Sequence, residues 1–386
     1  MKVVIVGGVA GGAGTAARLR RNDEQAEIIM LERGSYISYA NCGLPYYIGG
    51  VITEKEALQL QTPESFGTRF HVDVRTMSEV AAVDTARKCV VVKHGGETYE
   101  ESYDKLVLSP GAGPVRPGIP GMEKNHVFTL RNIPDTYAIH DYVTEHNPMS
   151  CAVIGAGFIG LEMAENLAEQ GLKVSVVEGA SHVMPPIDMD MAHGVHNYIR
   201  SKGIDLYLGQ TCTAMDGSGV ILKNGAKVPA DMVIMSIGVR PDTGFLKDSG
   251  IELGARGEII VNTYMETSAA DVYALGDAVS VEHVVSGQKV LIPLASPANK
   301  QGRIVGDNLC GKKTAYKGSQ GTSVMKFFDM TVAVTGEKEE SLKAQGRPYR
   351  KAITTSASQA GYYPGGDMMT IKTLFDPETA VILGAQ

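Results

Sequence analysis

The chain has 386 residues, 44% of them hydrophobic, with 43 acidic against 36 basic side chains and a formal net charge of −7. That length supports two or three domains with separate cores, and the acidic balance argues against nucleic-acid binding. No apolar run reaches the length of about 18 residues expected of a membrane-spanning helix. The opening MKVVIVGG runs straight into a glycine turn, so it reads as a core strand rather than a signal peptide. The five cysteines (Cys42, Cys89, Cys151, Cys212, Cys310) show neither a Cys-x-x-Cys pair nor metal-ligand spacing. No disulfide framework and no metal site are expected, and a reducing cytoplasm fits best.

In chain order, Lys2–Val6 reads as a strand, residues 7–12 as a glycine turn, 13–21 as a helix and 27–32 as a second strand. Cys89–Val92 and 97–103 alternate like hairpin strands, and Lys105–Leu108 is a buried strand ending at Ser109-Pro110-Gly111. The Pro/Gly-rich stretch 111–121 reads as a crossover. The opening arrangement then recurs: strand Ser150–Ile154, glycine turn 155–160, a helix to about Gln170 and strand Lys173–Glu178. The segment 231–238, followed by Arg240-Pro241, marks the return to the first domain. From about Ala315 come short strands (324–327, 331–335) and a charged helix (337–344). The end, 381–386, falls inside an apolar strand with no closing element, so this third domain reads as truncated. The expected fold class is α/β: two Rossmann-like dinucleotide-binding domains, the first discontinuous (1–112 and 240–314) and the second spanning 113–239, plus the start of an α+β C-terminal domain (315–386).

The second glycine turn is the sharper motif. Gly155-x-Gly157-x-x-Gly160 follows a strand and opens a helix through Phe158 and Ile159, and Glu178 ends the next strand. The first glycine permits the turn, the second admits a pyrophosphate to the backbone, and the third lets helix and strand pack. A carboxylate at Glu178 accepts from a ribose 2′-OH and repels a 2′-phosphate, and no Arg or Lys occurs in 178–182, which favours NADH over NADPH. The plainer alternative is a glycine turn that only packs. The first turn, Gly7-Gly8-Val9-Ala10-Gly11-Gly12, carries Val at the middle position. Glu32, followed by Arg33, closes the next strand and gives it the context of a second dinucleotide site; the alternative is a nucleotide-free unit. In Thr267–Asp277 a polar turn and short strand lead to Gly276-Asp277, where glycine allows close ligand approach and the aspartate can bind a flavin's polyol chain. Gly111 and Gly238 are added to the cofactor-binding set.

On these residues the chain resembles the FAD-dependent pyridine nucleotide-disulfide oxidoreductases. It is most similar to their single-cysteine branch of coenzyme A-disulfide reductases, NADH oxidases and NADH-dependent persulfide reductases. Residues 38–50 (SYANCGLPYYIGG), 103–112 (YDKLVLSPGA), 157–162 (GFIGLE), 274–278 (ALGDA) and 296–300 (SPANK) fall in family order. The resemblance implies FAD in the first domain at Gly7, Gly12, Glu32 and Asp277, and NAD(P)H in the second, with Phe158 and Glu162 near the nicotinamide. It implies Cys42 as the redox-active sulfur, and substrate contacts at Ser38, Asn41 and Asn299. Adenosine-phosphate contacts are implied at Arg18 and Arg21, whose alternative reading is a solvated helix end. Tyr362 and Tyr363 match a segment that reaches the partner subunit's site; the alternative there is a turn with packing aromatics. A homodimer in the full-length form is implied, the 315–386 region being its interface domain, and family chains continue for several dozen residues, in fusions with a rhodanese domain. Some coenzyme A-disulfide reductases carry a basic residue after the segment corresponding to Thr62-Pro63-Glu64; in Phe66-Gly67-Thr68-Arg69-Phe70-His71 none is evident, which argues against strong coenzyme A binding.

One thiol beside a redox cofactor cannot close an internal disulfide, so the second sulfur or oxygen must come from the substrate. The helix expected from Gly43 is expected to lower the Cys42 pKa and favour thiolate. The expected activity is NAD(P)H-driven reduction of coenzyme A disulfide or related low-molecular-weight disulfides or persulfides. The alternatives are an NADH oxidase or peroxidase cycling through a sulfenic acid, and a non-catalytic flavoprotein that carries electrons or senses redox state. The other four cysteines read as packing residues.

Overall fold

The structure is a computed structural model that describes residues 1–386. Its first sheet has five parallel strands in the order Val272–Ala274, Lys105–Leu108, Lys2–Val6, Glu27–Leu31 and Asp73–Arg75. Val3, Val4 and Ile5 are fully buried, as expected of a parallel strand covered on both faces. Since the strand from residue 272 completes a sheet that begins at residue 2, the chain leaves this unit and returns to it. The helix after the first turn spans Ala10–Asn22, three residues longer at its start than expected, because Gly11 and Gly12 themselves form its first turn. A later helix, Ala295–Leu309, lies against it. Glycines permit the approach: a Cβ on Gly302 would stand 2.7 Å from the Gly11 carbonyl oxygen.

The second sheet repeats the first. Its parallel order is Asp205–Leu208, Lys173–Glu178, Ser150–Ile154, Met232–Met235 and Val127–Phe128. The passages out and back run side by side, Ala112–Pro114 pairing antiparallel with Val239–Pro241. In both sheets the first strand of the unit has its successor on one side and a later strand on the other. This is the topological switch at which α/β sheets hold ligands.

The third sheet is antiparallel, in the order Ser323–Phe327, Met330–Gly336, Ile382–Ala385, Met368–Phe375 and Arg350–Ala357. The last strand is bonded on both sides. The hairpin 350–375 escaped the sequence reading because every residue of Arg350–Ala357 is exposed, so no burial imposes a hydrophobic alternation on it.

A buried ionic cluster fastens this sheet to the second unit. The Lys372 side chain has 0% exposure, and its Nζ lies 2.9 Å from Asp188 and 2.7 Å from Asp190, with Glu339 also in contact. The three carboxylates lie within 4.8 Å of one another, with the Lys372 ammonium buried among them and Lys351 beside them, 2.8 Å from Glu339 and 3.5 Å from Asp190. Gln386 adds a bond from its Nε2 to Asp188 at 2.7 Å. Lys372→Met leaves the buried Asp188 without a cation, while Asp190 and Glu339 keep Lys351, and is expected to cost about 3–5 kcal/mol in urea unfolding. Against the effect of burial, Lys372 holds Asp188 below its ordinary range, and Lys351 together with Lys372 and the Tyr349 hydroxyl holds Glu339 down at about 2. Depressed carboxylates stabilise above their unfolded pKa and lose that contribution as pH falls toward 2. The deficit of the variant is therefore expected to be constant through neutral pH and to shrink only in acid.

Candidate active site

The two glycine turns superpose in their contacts. Gly7 (φ +95°) and Gly155 (φ +103°) both turn where a Cβ would strike a backbone oxygen, of Ser109 at 2.1 Å and Ser236 at 2.4 Å respectively. Gly12 and Gly160 press on the same turns, a Cβ falling 1.8 Å from the Gly7 oxygen and 1.9 Å from the Gly155 oxygen. The middle position differs. A Cβ on Gly157 would meet nothing within 4 Å, so this residue borders open space, while Val9 fills the same place in the first turn. Gly8 is closed in by Ile37, and Gly11 by Leu275 and the Ser109 hydroxyl; Ala10 begins the helix.

Each turn is braced by the acid at the end of the following strand. Glu32 accepts from the amides of Gly8 (2.9 Å) and Gly34 (2.8 Å); Glu178 accepts from Ala156 (2.6 Å) and Ala180 (2.8 Å). Neither the Ala10–Asn22 helix nor Phe158–Glu169 has a side-chain cap at its N-terminus, which leaves the first-turn amides to an external acceptor. Uncapped helix starts, glycine approaches and a strand-end acid together fit a dinucleotide pyrophosphate and ribose. A cavity of about 440 Å³ at the second turn is bordered by Gly155, Gly157, Glu178, Gln210, Cys212 and Gly238. Ile159 is exposed and Phe158 half-buried beside it.

Gly276 (φ +80°) takes the left-handed conformation and donates its amide to Gln301 at 2.7 Å. Asp277 follows, half-buried; burial pushes its carboxyl up while Arg131 draws it down. Arg131 also donates through Nε to the Ala112 carbonyl and abuts Gly111, where a Cβ would lie 2.7 Å from its guanidinium. This arginine gathers Gly111 and Asp277 about one point. Arg33 is turned outward and pairs with Asp242 at 2.7 Å.

The cysteine turn hangs from the first motif. Ser38, in a left-handed conformation (φ +46°), donates its amide to the Gly8 carbonyl at 2.9 Å. Asn41-Cys42-Gly43 then forms a separate 3-10 turn ahead of the five-residue helix Leu44–Ile48. Asn41 and Cys42 are exposed, and all five cysteines are free thiols. The expected lowering of the Cys42 pKa is corrected: the surrounding protein raises it by desolvation, and Glu162 raises it further. The helix is too short, and begins too late, to offset an anionic neighbour.

Of the expected substrate residues, Arg18 is bound to Asp307 by two hydrogen bonds, at 2.8 and 3.0 Å. Arg21 is exposed, its guanidinium 5.8 Å from the Phe70 ring centre, and Arg69 approaches the same ring at 5.3 Å. Arg20 ties this corner together by donating to the carbonyls of Phe70 and His71. These residues line a basic cavity of about 630 Å³. Asn299 is exposed and faces Gly14. Tyr362 and Tyr363, 84% and 59% exposed, lie with ring centres 5.0 Å apart and tilted at 35° to each other in the turn of the C-terminal hairpin.

Residues 1–302 match the family described as pyridine nucleotide-disulphide oxidoreductase. The chain belongs to that family. It is 34% identical over 387 residues to a coenzyme A disulfide reductase of Staphylococcus haemolyticus, covering all of this chain and 87% of that one. Among solved structures, reduced CoADR-RHD of Bacillus anthracis matches with a TM-score of 0.98 and 48% identity, over 100% of this chain and 70% of that one. An NAD-dependent persulfide reductase from A. fulgidus matches with a TM-score of 0.97 and 34% identity, over 100% and 73%. The oxidoreductase is thus a flavoprotein enzyme working with FAD and NAD(P)H, and no helix in it is long and apolar enough to cross a membrane.

Three parts of the oxidoreductase were missed in its sequence. Arg131 lies in no motif and is recognised only by what it gathers. Arg69 was passed over in 66–71, although the Thr62 capping box that starts the helix Pro63–Phe70 would have set its direction. Cys212, read as packing, borders the second cavity, whereas Cys89 and Cys151 are buried as expected.

Proposed function

We propose that this enzyme uses NADH to reduce coenzyme A disulfide, or a persulfide of the same class of thiol, with Cys42 as the reacting sulfur. The observation that carries the reading is the exposed, lone Cys42 in a turn bonded to the first glycine motif through Ser38 and Gly8. The first unit, 1–112 with 240–314, would hold FAD through residues 7–12, Glu32, Gly111, Gly276 and Asp277, with Arg131 added. The second, 113–239, would hold NADH through 155–160, Glu178 and Gly238. When bound, FAD supplies the two-electron redox chemistry between nicotinamide and sulfur.

The protein's part begins at Cys42. Its thiolate attacks one sulfur of the incoming disulfide, releasing one thiol and leaving a mixed disulfide on Cys42. Over a full cycle one disulfide, one NADH and one proton yield two thiols and NAD⁺. Ser38 and Asn41 flank the sulfur and would orient the substrate arm. The basic corner of Arg21, Arg69 and Phe70 offers cations for phosphates and a ring for a base; Arg18, neutralised by Asp307, contributes less. The exposed hairpin, with Tyr362, Tyr363, Ile353, Met368 and Met369 uncovered, supports a homodimer in which the tyrosines complete the partner's site. A reducing cytoplasm would keep the five cysteines free.

The test is to reduce the FAD-loaded enzyme with NADH and follow flavin reoxidation by coenzyme A disulfide, coenzyme A persulfide, hydrogen peroxide and oxygen in parallel. The sulfur acceptors are expected to be fastest; fastest reoxidation by peroxide or oxygen would replace this reading with the oxidase or peroxidase. Arg69→Ala is expected to raise KM for coenzyme A disulfide about 10-fold, the loss of one charge-assisted contact, leaving KM for a disulfide without phosphates unchanged.

A further inference from the structure

The Cys42 turn is anchored in both units. On one side, the Ser38 amide holds it to the Gly8 carbonyl of the first glycine turn at 2.9 Å. On the other, the helix Leu44–Ile48 that follows it is packed into the second unit. Leu44, Tyr47 and Ile48 share one buried apolar cluster with Ile139, Leu161 and Leu167 of that unit. The Tyr47 ring lies 5.6 Å from the Tyr137 ring and 5.1 Å from that of His140, centre to centre. The turn is braced against its own return, since Gly43 N donates to the Ala40 carbonyl at 2.9 Å and Ala40 N to the Leu58 carbonyl at 2.8 Å.

The end of this short helix meets the last turn of Phe158–Glu169, the helix that leads out of the second glycine turn. The two are joined at Gly49. Its backbone, with φ −74°, is open to any residue, yet a Cβ there would fall 2.0 Å from Asn166 Oδ1. The need for glycine therefore comes from Asn166 and not from the chain's own path. Asn166 is fully buried and held in place by its Nδ2, which donates to the Glu162 carbonyl at 2.8 Å. Its Oδ1 has no hydrogen-bond partner and faces Gly49, an approach that only glycine allows. Beside it, Gln170 Nε2 donates to the Gly49 carbonyl at 2.6 Å, satisfying an acceptor left over at a helix C-terminus.

We propose that Asn166 and Gln170 are positioning residues for Cys42, acting through Gly49 and the helix Leu44–Ile48. The sulfur belongs by sequence to the first unit, but the second unit sets where it stands. A displacement at Gly49 is carried along the short helix to the turn. Packing alone would make this contact a matter of stability; the assignment makes it a matter of where the sulfur lies against the cofactor. It rests on reading Cys42 as the reacting sulfur beside a flavin held in the first unit.

The experiment compares variants of the FAD-loaded enzyme, with flavin content and melting temperature confirming the fold of each. One readout is the long-wavelength absorbance of a thiolate lying against oxidised flavin, taken in alkaline buffer where the thiol ionises. The other is kcat for coenzyme A disulfide beside the rate of flavin reduction by NADH. Gly49→Ala forces the two helices apart and is expected to weaken the band and lower kcat by on the order of 10- to 100-fold, with flavin reduction and KM for NADH unchanged. Adding Asn166→Ala makes room for the new methyl and is expected to restore both. Gln170 is exposed, so its variants keep the fold where Gly49→Ala does not. Gln170→Glu, which cannot donate, is expected to lower kcat about three- to tenfold, the loss of one hydrogen bond; Gln170→Lys, which can, is expected to retain it. An unchanged band and kcat in folded Gly49→Ala or Gln170→Glu, or flavin reduction falling in step with kcat, would overturn the positioning role. The band needs no sulfur substrate, so it tests the positioning even where the proposed activity fails. An unmodified enzyme with neither band nor thiol product would overturn the reading of Cys42 itself, and the positioning role with it.

Discussion

Cys42→Ser is expected to lower turnover of coenzyme A disulfide by on the order of 10³-fold or more, while NADH still bleaches the flavin at an undiminished rate. A serine hydroxyl does not ionise near neutrality, so the attacking anion is lost. The substitution is nearly isosteric, and the turn Asn41–Gly43 is held by backbone bonds, including Gly43 N to the Ala40 carbonyl at 2.9 Å, which it leaves alone. No other thiol belongs to this turn: Cys151 is fully buried, with its pKa driven up by desolvation, Cys89 is buried in a separate three-stranded sheet, and the half-buried Cys212 and Cys310 lie at the second cavity and at the end of the Ala295–Leu309 helix. Stopped-flow absorbance reads the flavin step, and a thiol assay reads turnover. Retained thiol production would remove Cys42 from the chemistry. Lost bleaching would mean that it serves the cofactor instead.

The residues that bend the backbone were the ones legible in the sequence. Gly7, Gly12, Gly155 and Gly160 each stand where a side chain would strike a carbonyl, and a requirement that strict leaves its mark on the chain as a spaced motif. The buried parallel strands were equally plain, since covering both faces demands an unbroken apolar run, and Ser150–Ile154 and Lys105–Leu108 came out at the expected bounds. Where a residue's role comes from tertiary neighbours, the chain carried no sign. Arg131 matters through Gly111 and Asp277, at distant positions, and the cluster of Lys372, Asp188, Asp190 and Glu339 spans the second unit and the third sheet. The error over Cys42 has the same origin. Local reading saw a proline-led helix start and inferred a stabilised anion, but the shift comes first from desolvation by the surrounding protein and then from Glu162, which lies on a helix more than a hundred residues away.

Cofactor choice gives the second large effect. In the double variant Glu178→Gln, Gly179→Arg, the preference for NADH over NADPH is expected to fall by about two to four orders of magnitude, from two changes of roughly 1.5–3 kcal/mol each. On the proposed reading, the first change removes a carboxylate that would accept from a ribose 2′-OH and repel a 2′-phosphate. Glutamine is preferred to alanine because Glu178 also braces the turn through the Ala156 and Ala180 amides. Removing that acceptor would orphan both donors at a cost of about 1–3 kcal/mol, whereas the amide oxygen keeps one. The second change supplies the cation missing from 178–182. Gly179 is exposed and has no left-handed φ to forbid a side chain, but its new Cβ would lie 3.2 Å from the Thr211 methyl, so that methyl must yield by a few tenths of an ångström. Thr211→Ser removes the contact and is expected to improve NADPH use further. Steady-state kcat/KM with each nucleotide, read beside flavin content, decides the matter: a variant that keeps its FAD and its preference for NADH would show that Glu178 braces the turn without reading the ribose.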